Sequence, residues 1–309
     1  MTPGRDGAAG AGFDGTGTDG YADGDLDGTA AARPTVGPVA APGLHVMTFN
    51  LRRRLPAMRA GSPDRWSRRA PLVARLLEAE HPAVLAVQEV MPDQSVELTA
   101  MLGPSYTSIG SGRERDRGGE RVELHVDTER LRVVSSRTWW LSDRPETPGS
   151  RGPGAVFARV VVQAELSDIA TGARFTVVAV HIDPFSARAK LDAARRIRAV
   201  VARLDGPVIV LGDFNADDDS PSHAELTRDG LLVDARAVAD RLVDPGWGSW
   251  SHYGPPRPGG RRLDWVLVTP DAHVSAAGVG APRFAGAAAS DHDPVHAALR
   301  WPAVRRTPA

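Results

Sequence analysis

The chain has no cysteine, a single lysine and few aromatic residues, 6% of its 309 positions. The absence of cysteine excludes a disulfide scaffold, a thiol nucleophile and any cysteine-ligated zinc site. With Lys190 the only lysine, arginine supplies nearly all the positive charge. That bias fits a GC-rich coding sequence as well as it fits phosphate recognition. No apolar run approaches the roughly 20 residues of a membrane span. The N-terminus has no basic start followed by an apolar stretch, so no secretory leader is expected. The expectation is a soluble, cytoplasmic protein without membrane contact.

Net charge is also nearly absent, at −1, but it is unevenly spread. Residues 1–42 hold six Asp and two Arg, whereas the remainder holds 35 basic and 32 acidic residues. A mildly positive body suits an anionic substrate without requiring a polyanion. The first 42 residues are Gly, Ala, Asp, Thr and Pro with almost no large apolar side chain. Such a segment cannot offset its ordering entropy and is expected to be a disordered tail. Within it, Asp23, Asp25, Asp27 and Gly28 match the opening of a calcium loop. The twelfth position is Pro34 instead of a bidentate Glu, and no helical pattern flanks it, which argues against calcium.

From residue 43 to 302 the chain reads as one α/β domain, with residues 303–309 a short C-terminal tail. Strands are expected at 44–50, 84–87, 106–109, 122–126, 131–141, 155–166, 174–182, 208–213, 263–269, 274–279 and 295–301. Helices are expected at 65–80, 93–102, 187–204 and 222–228. Strands outnumber helices, and hairpin spacing dominates the middle. That favours two packed mixed sheets with helices outside over a doubly wound parallel sheet.

Six motifs share one grammar, an apolar strand with polar groups at one end. Met47-Thr48-Phe49-Asn50 ends in an amide, and Leu85-Ala86-Val87-Gln88-Glu89 in a carboxylate. Val178-Ala179-Val180-His181 ends in an imidazole, with Asp183 two residues on. Gly212-Asp213-Phe214-Asn215 places an acid and an amide two apart, on one face of an extended chain. Asp264 opens the strand of Arg262-Leu263-Asp264-Trp265-Val266. Ser290-Asp291-His292-Asp293-Pro294-Val295 precedes the last strand. Few oxygen ligands, mostly carboxylate and amide, suit magnesium or manganese with retained waters. Histidines set apart from them suit acid/base and transition-state roles.

In this order, over residues 44–300, the motifs resemble the endonuclease/exonuclease/phosphatase superfamily. The resemblance implies the DNase I-like four-layer sandwich, with two mixed β-sheets packed face to face. Trp66-x-x-Arg69, Gly112-Arg113, Gly119-Glu120 and Trp140-Leu141-Ser142 resemble a bacterial subgroup of metal-dependent hydrolases. By resemblance Glu89 is the principal metal ligand, with Asn50 and Asp291 supporting it. Asp213 and Asn215 orient the attacking water and the leaving oxygen. Asp264 and His292 form a carboxylate–imidazole dyad, and His181 hydrogen-bonds a phosphoryl oxygen. The implied reaction is magnesium- or manganese-assisted attack of water on a phosphate ester, with Asp213 and His292 both open as the proton acceptor. A nuclease acting on nucleic acid is the alternative, and a non-catalytic module of the same fold a third. Glu123-Leu124-His125-Val126 departs from the aromatic-rich strand of the subgroup.

Arg52, Arg69 and Arg188 are candidates for bidentate phosphate contacts or, more simply, for ion pairs. His252, in Ser249-Trp250-Ser251-His252, is a candidate for the substrate side. The remaining six histidines match no catalytic motif and are read as core or surface residues. Trp139 and Trp140 are read as packing residues.

Overall fold

The computed structural model describes residues 33–56 and 58–302. The Asp23–Gly28 stretch and the C-terminal tail lie outside them. One sheet contains β1 (Leu44–Asn50), β2 (Val84–Val90), β3 (Tyr106–Gly112) and β4 (Arg121–Asp127), with β11 (His273–Val279) and β12 (Val295–Arg300), in the order β11-β12-β1-β2-β4-β3. The second contains β5 (Leu131–Trp140), β6 (Val160–Asp168), β7 (Arg174–His181), β8 (Val208–Asp213), β9 (Val233–Asp234) and β10 (Asp264–Val268), in the order β5-β6-β7-β8-β10-β9. Helices α1 (Trp66–Glu80) and α2 (Pro92–Leu102) cover the outside of the first sheet, and α3 (Ala187–Val201) and α4 (Pro221–Thr227) that of the second. A short helix, α5 (Ala235–Val238), follows β9. This is the expected DNase I-like four-layer sandwich. Among the described residues no helix is long and apolar enough to cross a membrane.

The near-continuous apolar strands follow from this layering, because the central strands are buried on both faces. On β1, Leu44 and Val46 enter the core between the sheets, while Met47 and Phe49 face α1 and α2. On β8, Ile209 and Leu211 face the inter-sheet core, and Val208 and Val210 face α3. Trp139 and Trp140 are buried, as expected of packing residues.

β1 runs parallel to β2 and β7 parallel to β8, so Asn50, Glu89, His181 and Asp213 all emerge at strand C-terminal ends. β10 is antiparallel to β8 and sets Asp264 directly opposite Asp213. β12 is antiparallel to β1, so residues just before Val295 return to the end of β1. The grammar of the motifs is therefore the geometry of one edge of the sandwich. Gly212 lets β8 lie close against β7: its φ is +148°, and a Cβ there would overlap the Val180 carbonyl.

Two expectations need correction. Residues 33–42, assigned to the disordered tail, belong partly to the body. The backbone N–H groups of Thr35, Val36 and Gly37 donate to the buried Glu80 carboxylate at 2.6, 3.1 and 3.0 Å. The sequence offers no large apolar residue there, and the anchor is backbone polarity meeting a distant acid. β6 begins at Val160 instead of Ala155. The N–H groups of Val156 and Phe157 are taken by Asp183 and leave the ladder.

Candidate active site

Asp213 lies at the centre, 1% exposed. Its Oδ2 accepts from Asn50 Nδ2 at 2.9 Å and is approached by His181 Nε2 at 3.6 Å and His292 Nε2 at 4.0 Å. Its Oδ1 accepts the backbone N–H of Asn215 at 2.8 Å. Two imidazole Nε2 atoms thus approach one carboxylate oxygen.

His292 is held from behind. Its Nδ1 lies 2.7 Å from Asp264 Oδ2, which also accepts from Ser249 Oγ at 2.7 Å. Ser249 Oγ in turn accepts the N–H groups of Leu263 and Asp264. Burial alone would lower the pKa of His292, but the charges of Asp264 and Asp213 outweigh it and raise it well above the ordinary value. Its surroundings thus favour the protonated ring, whose Nε2 faces Asp213.

On the first sheet, Asn50 Nδ2 also donates to Glu89 Oε1 at 3.2 Å. Arg52 spans Glu89 and Asp291, with guanidinium nitrogens 3.9 and 3.7 Å from their carboxylates. It also meets Asp64 at 3.1 Å, and Tyr253 donates to the same Asp64 oxygen. These carboxylates raise the Arg52 pKa against the opposing effect of burial. Glu89 and Asp291 thus converge on one cationic group, with an amide beside them. Two carboxylates and an amide form a hard-oxygen donor set of the kind magnesium and manganese accept. Among the described residues, Asp213, Asp264 and His292 also hold ligand atoms within 4.8 Å of one another. There the His292 Nδ1 is already paired with Asp264 Oδ2.

Backbone strain concentrates here. Of nine non-glycine residues with positive φ among those described, Arg52, Glu89, Asn215 and His252 are at this edge. Glu89 sits in an irregularity between β2 and β4 that turns its side chain out of the strand alternation.

The structure brings together Asn50, Glu89, His181, Asp213, Asp264, Asp291 and His292, with Arg52 among them. Asn215 joins differently from expectation. Its backbone holds Asp213, while its side-chain Nδ2 donates to the Ile182 carbonyl at 3.0 Å. His252 is exposed, and its backbone N–H donates to the Asp291 carbonyl at 2.8 Å. Arg188 is exposed on the first turn of α3. Arg69 is buried and donates to the carbonyls of Leu51 and Arg52, so it shapes the loop after β1.

Sequence reasoning gave no role to Arg159, Ser249, Ser290, Asp64 or Tyr253. Ser290 Oγ donates to the Asn50 carbonyl at 2.7 Å and ties the last motif to the first. Arg159 Nη1 lies 3.1 Å from Glu120 Oε1 and 3.0 Å from His181 Nδ1, and Arg113 Nη1 meets Glu120 Oε1 at 2.7 Å. Burial would raise the Glu120 pKa, but contact with His181, Arg159 and Arg113 pulls it down to about 2. Gly119-Glu120 and Gly112-Arg113 were visible as motifs. Arg159, in irregular chain before β6, carried no motif.

Comparison with known proteins agrees with this architecture. The chain is 28% identical to an endonuclease/exonuclease/phosphatase from Bacteroides vulgatus, with a TM-score of 0.76 over 84% of this chain and 99% of that one. It is 26% identical to a mannosyl-6-phosphatase from Bacteroides thetaiotaomicron, with a TM-score of 0.75 over 84% of this chain and 100% of that one. An uncharacterized protein of Acanthamoeba polyphaga mimivirus is 27% identical over 167 residues, 50% of this chain and 60% of the relative's own length. The model of the Endonuclease/Exonuclease/phosphatase family matches residues 47–292, from the start of the first motif to His292. With the six motifs gathered at one sheet edge, the chain belongs to the endonuclease/exonuclease/phosphatase family.

Proposed function

We propose that the chain hydrolyses a small phosphate ester with the help of a divalent cation. The carrying observation is the Asp213 carboxylate, with Asn50, His181 and His292 around one of its oxygens. Asp213, buried and oriented by Asn50 and the Asn215 N–H, holds a water by one oxygen and receives its proton as the water attacks phosphorus. The His292 imidazolium, fixed by Asp264, faces the charge that develops on the phosphoryl oxygens. His181 supplies a second donor beside the same carboxylate oxygen. Preorganised donors of this kind act where charge grows in the transition state. Glu89 and Asp291, with Asn50 beside them, would hold the cation, magnesium or manganese. Bound there, it would neutralise phosphoryl charge and lower the pKa of a water.

A compact substrate is favoured over a nucleic-acid backbone by how the arginines are used. Of the two regions rich in arginine, the 113–121 turn pairs Arg113 with Glu120 and Arg121 with Glu123, and Arg117 lies over Trp140. On α3, Arg196 pairs with Asp192 and Asp143, and Arg198 with Asp229. Arginines neutralised internally contribute little to a phosphate track, which draws its affinity from uncompensated cations. The likeness to a mannosyl-6-phosphatase makes sugar phosphates the first class to test.

The experiment is a turnover panel with magnesium or manganese: sugar 6-phosphates, nucleotides, p-nitrophenyl phosphate, bis-p-nitrophenyl phosphate and single-stranded DNA. Turnover of a small ester, abolished by EDTA and restored by either metal, is expected. Cleavage confined to DNA or RNA, with binding that falls steeply with salt, would replace this reading with the nuclease one.

A further inference from the structure

Arg159 is 5% exposed and reaches the catalytic cluster from behind His181. A guanidinium has donors only and no lone pair to offer. In a neutral ring the His181 Nδ1 that lies 3.0 Å from Arg159 Nη1 is therefore the acceptor of that contact and carries no proton. In a neutral imidazole the proton then resides on Nε2, the nitrogen that faces Asp213 Oδ2 at 3.6 Å. The rival tautomer places the proton on Nδ1 and aims it at Glu120 Oε1, 3.4 Å away. It sets two N–H groups against each other at the shorter distance and turns the Nε2 lone pair toward a carboxylate. Both contacts oppose it.

The surroundings keep Arg159 in place. Glu120 Oε1 accepts from Arg159 and Arg113 together, and the Phe157 ring covers both guanidinium groups at 4.6 and 5.6 Å. Phe157 is anchored in turn by its N–H to Asp183 Oδ2. Arg113 pairs with Glu114 as well as Glu120, so Arg159 is held within a network of two arginines and two glutamates on the side of the ring away from Asp213.

We propose that Arg159, held by Glu120, is a positioning residue that fixes His181 as its Nε2–H tautomer. A hydrogen-bond donor, and not a lone pair, is thereby presented to the phosphoryl oxygen. This assignment rests on the reading of His181 as a phosphoryl-facing group. Arg159 touches no reacting atom and acts through the imidazole.

The test begins with the metal-free protein labelled with ¹⁵N-histidine. Two-bond proton–nitrogen NMR correlations, assigned to His181 by their loss in His181→Gln, are expected to show Nε2 protonated and Nδ1 bare. Arg159→Gln supplies an amide oxygen able to accept from Nδ1, so the tautomer is released. With a small phosphate ester, kcat is expected to fall about 10- to 100-fold with KM changed much less. Arg159→Lys, which again has donors only, is expected to keep the Nε2–H signature and recover most of kcat. Should Arg159→Gln fail to fold with Glu120 left to Arg113 alone, the Arg159→Gln/Glu120→Gln double variant carries the same readouts with both charges removed. A protonated Nδ1 in the wild-type protein, or Arg159→Gln with unchanged tautomer and unchanged kcat, overturns the proposal. An Nε2–H signature together with full turnover in His181→Gln leaves the tautomer assignment standing and overturns the role given to His181.

Discussion

Replacing Asp264 by Asn removes one charge from the most tightly built pair of the site. The His292 Nδ1 to Asp264 Oδ2 contact is 2.7 Å, and both side chains are buried. Hydrogen bonds to charged groups contribute roughly 1.5–3 kcal/mol net. If that interaction is realised in the transition state, its loss corresponds to about 10- to 150-fold in turnover, at roughly 1.4 kcal/mol per factor of ten. The amide keeps the size of the carboxyl group and can still accept from Ser249 Oγ and from an Nδ1–H. It also relieves repulsion between Asp264 and the neighbouring Asp213. The variant is therefore expected to fold with a nearly unchanged melting temperature while losing activity. His292→Ala deletes the imidazolium outright and is expected to cost at least as much. The Asp264→Asn/His292→Ala double variant should be little worse than His292→Ala alone, because Asp264 acts only through the ring. Steady-state turnover of the best small ester, at saturating magnesium and with circular dichroism as the folding control, decides the matter. Losses that multiply, or an Asp264→Asn enzyme with full kcat, would show that the pair is no unit.

Glu89→Gln keeps the shape of the side chain but removes a charge from the proposed cation site; it should remain folded, lose on the order of 10²-fold in turnover, and be rescued only partly by excess magnesium. Calorimetric titration of magnesium should show weaker binding to that variant, and unchanged binding would remove Glu89 from the site. His45, packed between Glu80 and His296, has a pKa pushed down to about 3 by burial and by His296. Its folded pKa lies below the unfolded 6.5, so its contribution is fully present above pH 6.5 and is lost as pH falls toward 3, a matter of a few kcal/mol. Glu80, also lowered, acts in the same direction. Melting temperature should drop between pH 6.5 and 4, and His45→Gln should flatten that dependence. Deleting residues 1–32 should leave the melting temperature unchanged, whereas deleting 1–42 should lower it by several degrees, because Glu80 then loses three backbone donors. Equal melting temperatures for the two truncations would show that the Glu80 anchor contributes nothing.

Much of this site was legible because strand ends are legible. A run such as Val208–Leu211 followed by Gly212-Asp213 announces both a buried strand and the polar group at its exit. Six such endings, in one order, carried the layering and most of the residues around Asp213. What sequence could not show were groups whose role depends on register or on a contact distant in the chain. Ser249 reaches Asp264 across 15 residues, and Thr35 reaches Glu80 across 45. Neither belongs to a strand or a periodic segment. The two-residue β9 and four-residue α5 are likewise too short to leave a period. Asn215 lay in a motif, yet its side chain turned toward Ile182, because an asparagine at φ +50° aims its amide by local backbone geometry.

The two histidines at Asp213 are held by opposite means, and the difference assigns them different work. His292 has a carboxylate behind it. Asp264 accepts from Nδ1, favours the charged ring and so directs a cationic N–H toward Asp213. His181 has the Arg159 guanidinium 3.0 Å from its Nδ1 with Glu120 beside it, and in the proposed tautomer its proton is on Nε2. In the proposed tautomer a neutral His181 beside a protonated His292 would avoid the repulsion of two adjacent cations. The pair would still present two N–H donors to a single anion. A cation in place of Asp264 behind His292 would instead turn a lone pair toward phosphate. In the function proposed here, the asymmetry between Asp264 and Arg159 is what would let both histidines face one oxygen-rich group at once.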